Sequence, residues 1–156
     1  MSSTVIVPSS VSTATGWSNK DNALSQDNVC ASLAAGAGAS AWLPIRLSTA
    51  SLDESDDVVG FGLEAWVGVV TGGSAPAKLP ETECRLEFAL STDGSTPLGT
   101  PKTVDVYQIV ALETLGGAVD LWGTTITAAQ INAGLYVLVR RPSLVDEDAG
   151  IVRLVD

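Results

Sequence analysis

Histidine is missing from all 156 residues. With it go Ser–His and Cys–His nucleophile pairs, histidine-bearing zinc sites and the commonest general base near neutral pH. Positive charge is scarce too, with 8 Lys and Arg against 18 Asp and Glu and a net charge of −10. Such a surface repels phosphate backbones and anionic headgroups, so no nucleic acid and no membrane is expected as a partner. No apolar run reaches the ~20 residues of a membrane-spanning helix. The longest, Val58 to Val70, has 13 residues and contains Glu64, and it reads as a buried strand. Cysteine is limited to Cys30 and Cys84. These two thiols either pair across two sheets or sit as buried small hydrophobes, the commoner fate in a reducing compartment. The opening Met1-Ser2-Ser3-Thr4-Val5-Ile6-Val7-Pro8 has no basic segment and too short an apolar run for a secretory signal, so synthesis and assembly in a cytoplasm are expected.

What remains is a 46% hydrophobic chain with 15 glycines, a composition that suits strands joined by tight turns. A chain of this length forms one domain and buries roughly 70% of the surface its unfolded form exposes. Residues 1–16 carry no charge, are rich in Ser, Thr and Val, and end at Gly16. They read as an N-terminal arm that docks onto a neighbour, leaving 17–156 as the folded domain.

Alternation with period two runs through that domain. Leu43, Ile45 and Leu47 alternate with Pro44 and Arg46, and the proline, lacking an N–H, predicts an edge strand or a bulge. Phe61, Leu63, Ala65, Val67 and Val69 alternate with Gly62, Glu64, Trp66 and Gly68 as a central strand. The clearest case sets Cys84, Leu86, Phe88 and Leu90 inward against Glu83, Arg85, Glu87 and Ala89 outward. Asp93-Gly94 offers a tight turn, and Val104 to Val110 is predicted to return as the partner strand, irregular because of Pro97 and Pro101. Thr127-Ala128-Ala129-Gln130 has capping-box spacing, which predicts one short helical turn near 127–132, stopped by Asn132 and Gly134. Leu135 to Arg140 and Ile151 to Val155 complete a count of seven or eight strands. The fold class that follows is all-β, a jelly-roll-like sandwich of two antiparallel sheets.

Chemistry is hard to find on this frame. Gly36-Ala37-Gly38-Ala39-Ser40-Ala41 fits a G-x-G-x-x-A phosphate fingerprint, but Trp42-Leu43-Pro44 follows where a helix is needed, so it reads as a small-residue turn. Asp53, Glu54, Glu64, Glu113 and Asp120 are carboxylates whose separation a sequence does not fix, and solvated loop charge is their plain reading. Asp53 to Asp57 lacks the D-x-D-x-D-G order of a calcium loop. No enzyme activity, cofactor or metal is expected. Four tryptophans suit either core packing or a sugar-stacking platform. Trp66, on the face opposite Leu63 and Val67, and Trp42 are interface candidates, as are Val5, Ile6 and Val7 of the arm.

The run Gly116-Gly117-Ala118-Val119-Asp120-Leu121-Trp122-Gly123 with Thr127, Ile131 and Asn132 resembles a GG-x-x-DLWG-x-x-x-T-x-x-x-IN segment of phage virion structural proteins. Trp17 with Asn22-Ala23, and Val58 to Ala65, are similar to the opening loop and a glycine-bearing strand of that family. The resemblance spans about residues 17–141. It implies a β-sandwich and a role in virion assembly, and it brings no catalytic residues. A compact, acidic single domain with an apolar arm suits a capsid decoration protein laid on the shell in many copies, with the major capsid protein or other virion proteins as partners. Relatives end in a longer Val- and Tyr-rich strand, whereas this sequence stops at Asp156. A last strand that is short or completed by a neighbour in a homo-oligomer is therefore expected. A tail or head-fibre component is the second reading, and a carbohydrate-binding module for host surface glycans, using Trp42 and Trp66, is the third.

Overall fold

The computed structural model describes residues 4–24, 32–33, 39–55, 58, 62–67, 85–105, 115–120 and 125–142. Over these the protein is all-β apart from one short α-helix and a 3₁₀ turn. The strands are β1 (Pro8–Val11), β2 (Trp17–Ser18), β3 (Ser32–Leu33), β4 (Leu43–Leu47), β5 (Gly62–Val67), β6 (Arg85–Ser91), β7 (Leu98–Asp105), β8 (Leu115–Asp120) and β9 (Tyr136–Arg140). The 3₁₀ turn is Lys20–Leu24 and the helix, α1, is Ala128–Ala133. Five strands form an antiparallel sheet in the order β1-β4-β9-β6-β7, while β2 pairs with β3 and β5 with β8.

The run Val137-Leu138-Val139 explains why β9 lies in the middle. All three side chains are buried, so this strand has no solvent face and pairs on both edges, with β4 and with β6. The register stacks Ile45, Val137 and Leu90 on one rung and Leu43, Val139 and Phe88 on the next. With Leu47 and Leu86 this face builds the core, closed by Ile126, Ile131 and Leu135 around α1, with Ile6, Trp17, Leu52 and Val58 packed at its margin.

The opposite face is covered at its centre. Leu138 is 0% exposed, and Ala89 and Ser91 beside it on β6 are 2% and 0% exposed. At Glu87 and Ala89 the outward-facing set on β6 is thus not a solvated charged face: Ala89 is buried, and Glu87 is held by Arg140 at 2.6 Å across the ladder. Alternation in β6 distinguishes its two faces but is blind to what covers the second.

Both strand prolines are placed differently from the simplest sequence reading. β4 is an interior strand, not an edge. Its ladder with β1 stops at Val11 opposite Ile45, and beyond that Ser12 N–H donates to the Pro44 carbonyl at 3.1 Å. In an antiparallel ladder a residue's N and C=O face the same neighbour, so the missing donor of Pro44 falls just where β1 ends. The return strand begins earlier than Val104, at Leu98. It tolerates Pro101 because β7 is the outer strand and the β6–β7 register shifts between Phe88 and Leu90. Residues 106–110 lie outside the described residues, as do Cys30, Cys84, Leu121, Trp122 and the strand expected at 151–155.

The helix forms as its spacing requires. Thr127 caps it, with its hydroxyl accepting from Gln130 N–H at 3.2 Å and the Gln130 side chain accepting from Thr127 N–H at 2.9 Å. Asn132, expected as a stop, is instead inside the helix. Its side chain accepts from Leu52 N–H at 2.7 Å and donates to Leu52 C=O at 2.9 Å, a strand-like rung that ties residue 52 to α1. The arm is only partly an arm, since Pro8–Val11 pairs with β4 as the sheet's first strand.

Two stability measurements check this arrangement. Asn132→Ala removes both partners of the half-buried Leu52 peptide groups and is expected to cost about 1–3 kcal/mol in urea unfolding. Leu138→Ala is expected to cost about 2–5 kcal/mol, as much as the same change at Leu90. A cost under about 1 kcal/mol, typical of a surface site, would show that the second face is open.

Candidate functional site

The five interface candidates fall in three places. Val5 and Val7 are 89% and 56% exposed, while Ile6 between them packs against the core. An extended segment throws alternate side chains to opposite sides, so anchoring Ile6 turns both valines outward. The Val7 carbonyl accepts from Ser48 N–H at 2.8 Å, which fixes the segment beside β4. Trp42 is half-buried just before β4, with the Arg140 guanidinium 4.2 Å from its ring centre. Trp66 lies on β5 opposite Gly116 in the β5–β8 ladder. The structure thus brings Val5, Ile6 and Val7 together at the β1 end of the sheet and does not join them to Trp42.

On the second face of the sheet the register creates two arginine–aromatic pairs. Arg140 meets Trp42 and Glu87 at one end, and two rungs along, past Pro44, Leu138 and Ala89, Arg46 meets Tyr136. The Arg46 guanidinium is 5.8 Å from the Tyr136 ring centre. This second pair opens into a groove of about 390 Å³ lined by Arg46, Tyr136, Gln130, Gly134 and Thr92, with alanines of α1 completing the wall. Gly134, at φ 91°, lets the chain turn from α1 into β9, and a Cβ there would lie 3.4 Å from Arg46 Nε. The backbone therefore packs directly beside the guanidinium. Alternation places Arg46 off the core face, but the groove itself was not legible, because it needs the pairing of residues ninety positions apart.

The turn after β6 walls the groove near Tyr136. Gly94, at φ 77°, packs so close that a Cβ would meet the Tyr136 ring at 3.2 Å. Ser91 accepts from Gly94 N–H at 3.0 Å and donates to Asp93 at 2.9 Å. Asp93 also accepts from the N–H groups of Thr96 and Ser95, each at 2.7 Å. These bonds, Thr96 first, then Ser95 and the Ser91 hydroxyl, hold the Asp93 carboxyl well below the usual carboxylate range.

Asp53 accepts from the Ser55 hydroxyl at 2.7 Å and from Ser55 N–H at 2.9 Å, which lowers its pKa. Asp56 and Asp57 lie outside the described residues, and among the described residues no group of three or more metal-ligating side chains converges. No helix among the described residues is long and apolar enough to cross a membrane. No family model matches the chain, and neither a curated protein nor a solved structure matches it significantly.

A pH titration tests the turn. Asp93 has a folded-state pKa below its ordinary 3.8, so its stabilisation is fully present above the unfolded value and is lost as pH falls from there towards the folded one. The urea midpoint of the wild-type protein is expected to fall more steeply between about pH 5 and pH 2 than that of Asp93→Asn. Equal slopes would remove Asp93 as an acid-sensitive group.

Proposed function

We propose that this chain is a non-enzymatic structural protein of a phage virion, a capsid decoration protein laid on the shell in many copies and contacting the major capsid protein. The observation that supports this most is the N-terminal segment, where Ile6 is anchored on the core and Val5 and Val7 are held out to solvent. Exposed apolar side chains at a fixed position are what a docking segment needs. The resemblance of Gly116 to Asn132 to a segment of phage virion proteins supports the class. So does the acidic surface, since a net charge of −10 suits a protein on the outside of a shell better than one on packaged nucleic acid.

A two-sheet sandwich is part of the proposal. The five-stranded sheet buries Leu138 and Ala89 on the face away from its core, and the β5–β8 ladder supplies two further antiparallel strands, the kind of layer that would cover them. Localisation to the virion after assembly in the host cytoplasm follows from the same reading.

The test is to locate and count the chain in purified particles. Cryo-EM and quantitative mass spectrometry are expected to place it on the head, in a copy number that scales with the shell's subunits. A handful of copies at the tail or at one vertex would establish the fibre reading instead. In a reconstitution assay with shells lacking the protein, the double variant Val5→Asp/Val7→Asp is expected to bind at least about tenfold more weakly at an unchanged melting temperature. Undiminished binding would overturn the role of the arm.

A further inference from the structure

The two arginine–aromatic pairs on the second face of the sheet differ in one respect. Arg140, over Trp42, is matched by Glu87 at 2.6 Å. Arg46, over Tyr136, is exposed and meets no carboxylate among the described residues. In a chain where acids outnumber bases 18 to 8, a cation that no described acid meets, and that faces a groove, is suited to an external one. The guanidinium is positioned as well as charged, since the Gly134 backbone lies beside it and the Tyr136 ring beneath it. Tyr136 is in turn backed by Gly94. A guanidinium held in this way loses little freedom when it takes a carboxylate through two parallel hydrogen bonds.

The rest of the groove is suited to hydroxyl groups. Gln130 uses its carbonyl oxygen in the capping box, which leaves its NH2 to donate. Thr92 and Tyr136 add hydroxyls, and α1 contributes the small apolar side chains of Ala129 and Ala133. The volume of about 390 Å³ lies within the range of small-ligand sites and fits one sugar ring. We infer that this groove binds a carboxylated sugar, with Arg46 taking the carboxylate and Gln130, Thr92 and the Tyr136 hydroxyl taking ring hydroxyls. An acidic protein surface, including a second copy of this chain, fits less well, because it would bring many like charges against a chain of net charge −10. A sugar acid brings only one. The inference goes beyond the virion role and does not depend on it.

Calorimetry or ligand-observed NMR on the full chain tests it with the methyl glycosides of glucuronic acid and N-acetylneuraminic acid. Methyl glucoside, acetate and a peptide of sequence Leu52 to Val58 serve as comparisons. At least one acidic glycoside is expected to bind about tenfold more tightly than methyl glucoside and than acetate. Arg46→Gln is expected to abolish that difference at an unchanged melting temperature, while Lys102→Gln, which removes an exposed cation on β7, leaves it intact. No binding of either acidic glycoside, equal binding of the neutral sugar or of acetate, or an unchanged affinity in Arg46→Gln would overturn the inference. Tighter binding of the acidic peptide would overturn it in favour of a contact between chains.

Discussion

Burial of β9 on both faces is the constraint on which the described structure depends. A strand with Val137, Leu138 and Val139 all buried has no edge or face to give to water. Its peptide groups must be satisfied on two sides, and its side chains covered on two sides. β4 and β6 meet the first demand. The helix segment and the residues around Leu52 meet half of the second, with Asn132 clamping the Leu52 peptide in place. The antiparallel order, the interior position of β4 despite Pro44, and the placement of α1 over the core all follow from seating this one strand.

The second face then acquires its character from the same register. Rungs two apart place Arg140 with Glu87 and Trp42 at one end and Arg46 with Tyr136 at the other, separated by the buried Leu138 and Ala89. A guanidinium over an aromatic ring keeps its charge while shielding apolar surface, so these pairs flank a face whose middle, at Leu138 and Ala89, is buried. At the Trp42 end the charge is neutralised within the fold. At the Tyr136 end no carboxylate among the described residues meets it, and the groove opens there.

How much of this the sequence disclosed depended on the range over which each feature is determined. Thr127 and Gln130 announce the cap of α1 because both ends of the motif lie within one turn of helix. The alternation of Leu86, Phe88 and Leu90 likewise announces β6 and its core face. Pro44 misled, since its strand is interior, whereas Pro101 brought the irregular register expected of it but inside a strand that starts before it, at Leu98. A proline's tolerance depends on which edge its nitrogen faces and where the neighbour stops, and neither is local. Gly116 to Asp120, singled out in the sequence only for its resemblance to a virion-protein segment, is β8, and its glycines lie opposite Ala65 and Trp66 in the ladder with β5. The interface candidates were legible as residue types, whereas the isolation of Trp42 from the arm, and the pairing of Arg46 with Tyr136, needed the sheet order.

The edge formed by β1 also bears on how copies or partners would meet the protein. An open edge invites strand addition, and several features here blunt it. Pro8 has no N–H to donate. The β1–β4 register shifts between Pro8 and Ser10, and the Ser9 hydroxyl donates to the Arg46 carbonyl at 3.1 Å. At the other end Lys20 donates to the Val11 carbonyl at 3.3 Å while paired with Asp21. Proline, a bulge and a lysine are the usual protections of an edge strand. Recognition at this end of the sheet would therefore pass through the side chains of Val5 and Val7 ahead of β1 and not through an extension of the ladder. A contact made by side chains has a fixed stoichiometry and stops after one partner, whereas an open ladder repeats without limit.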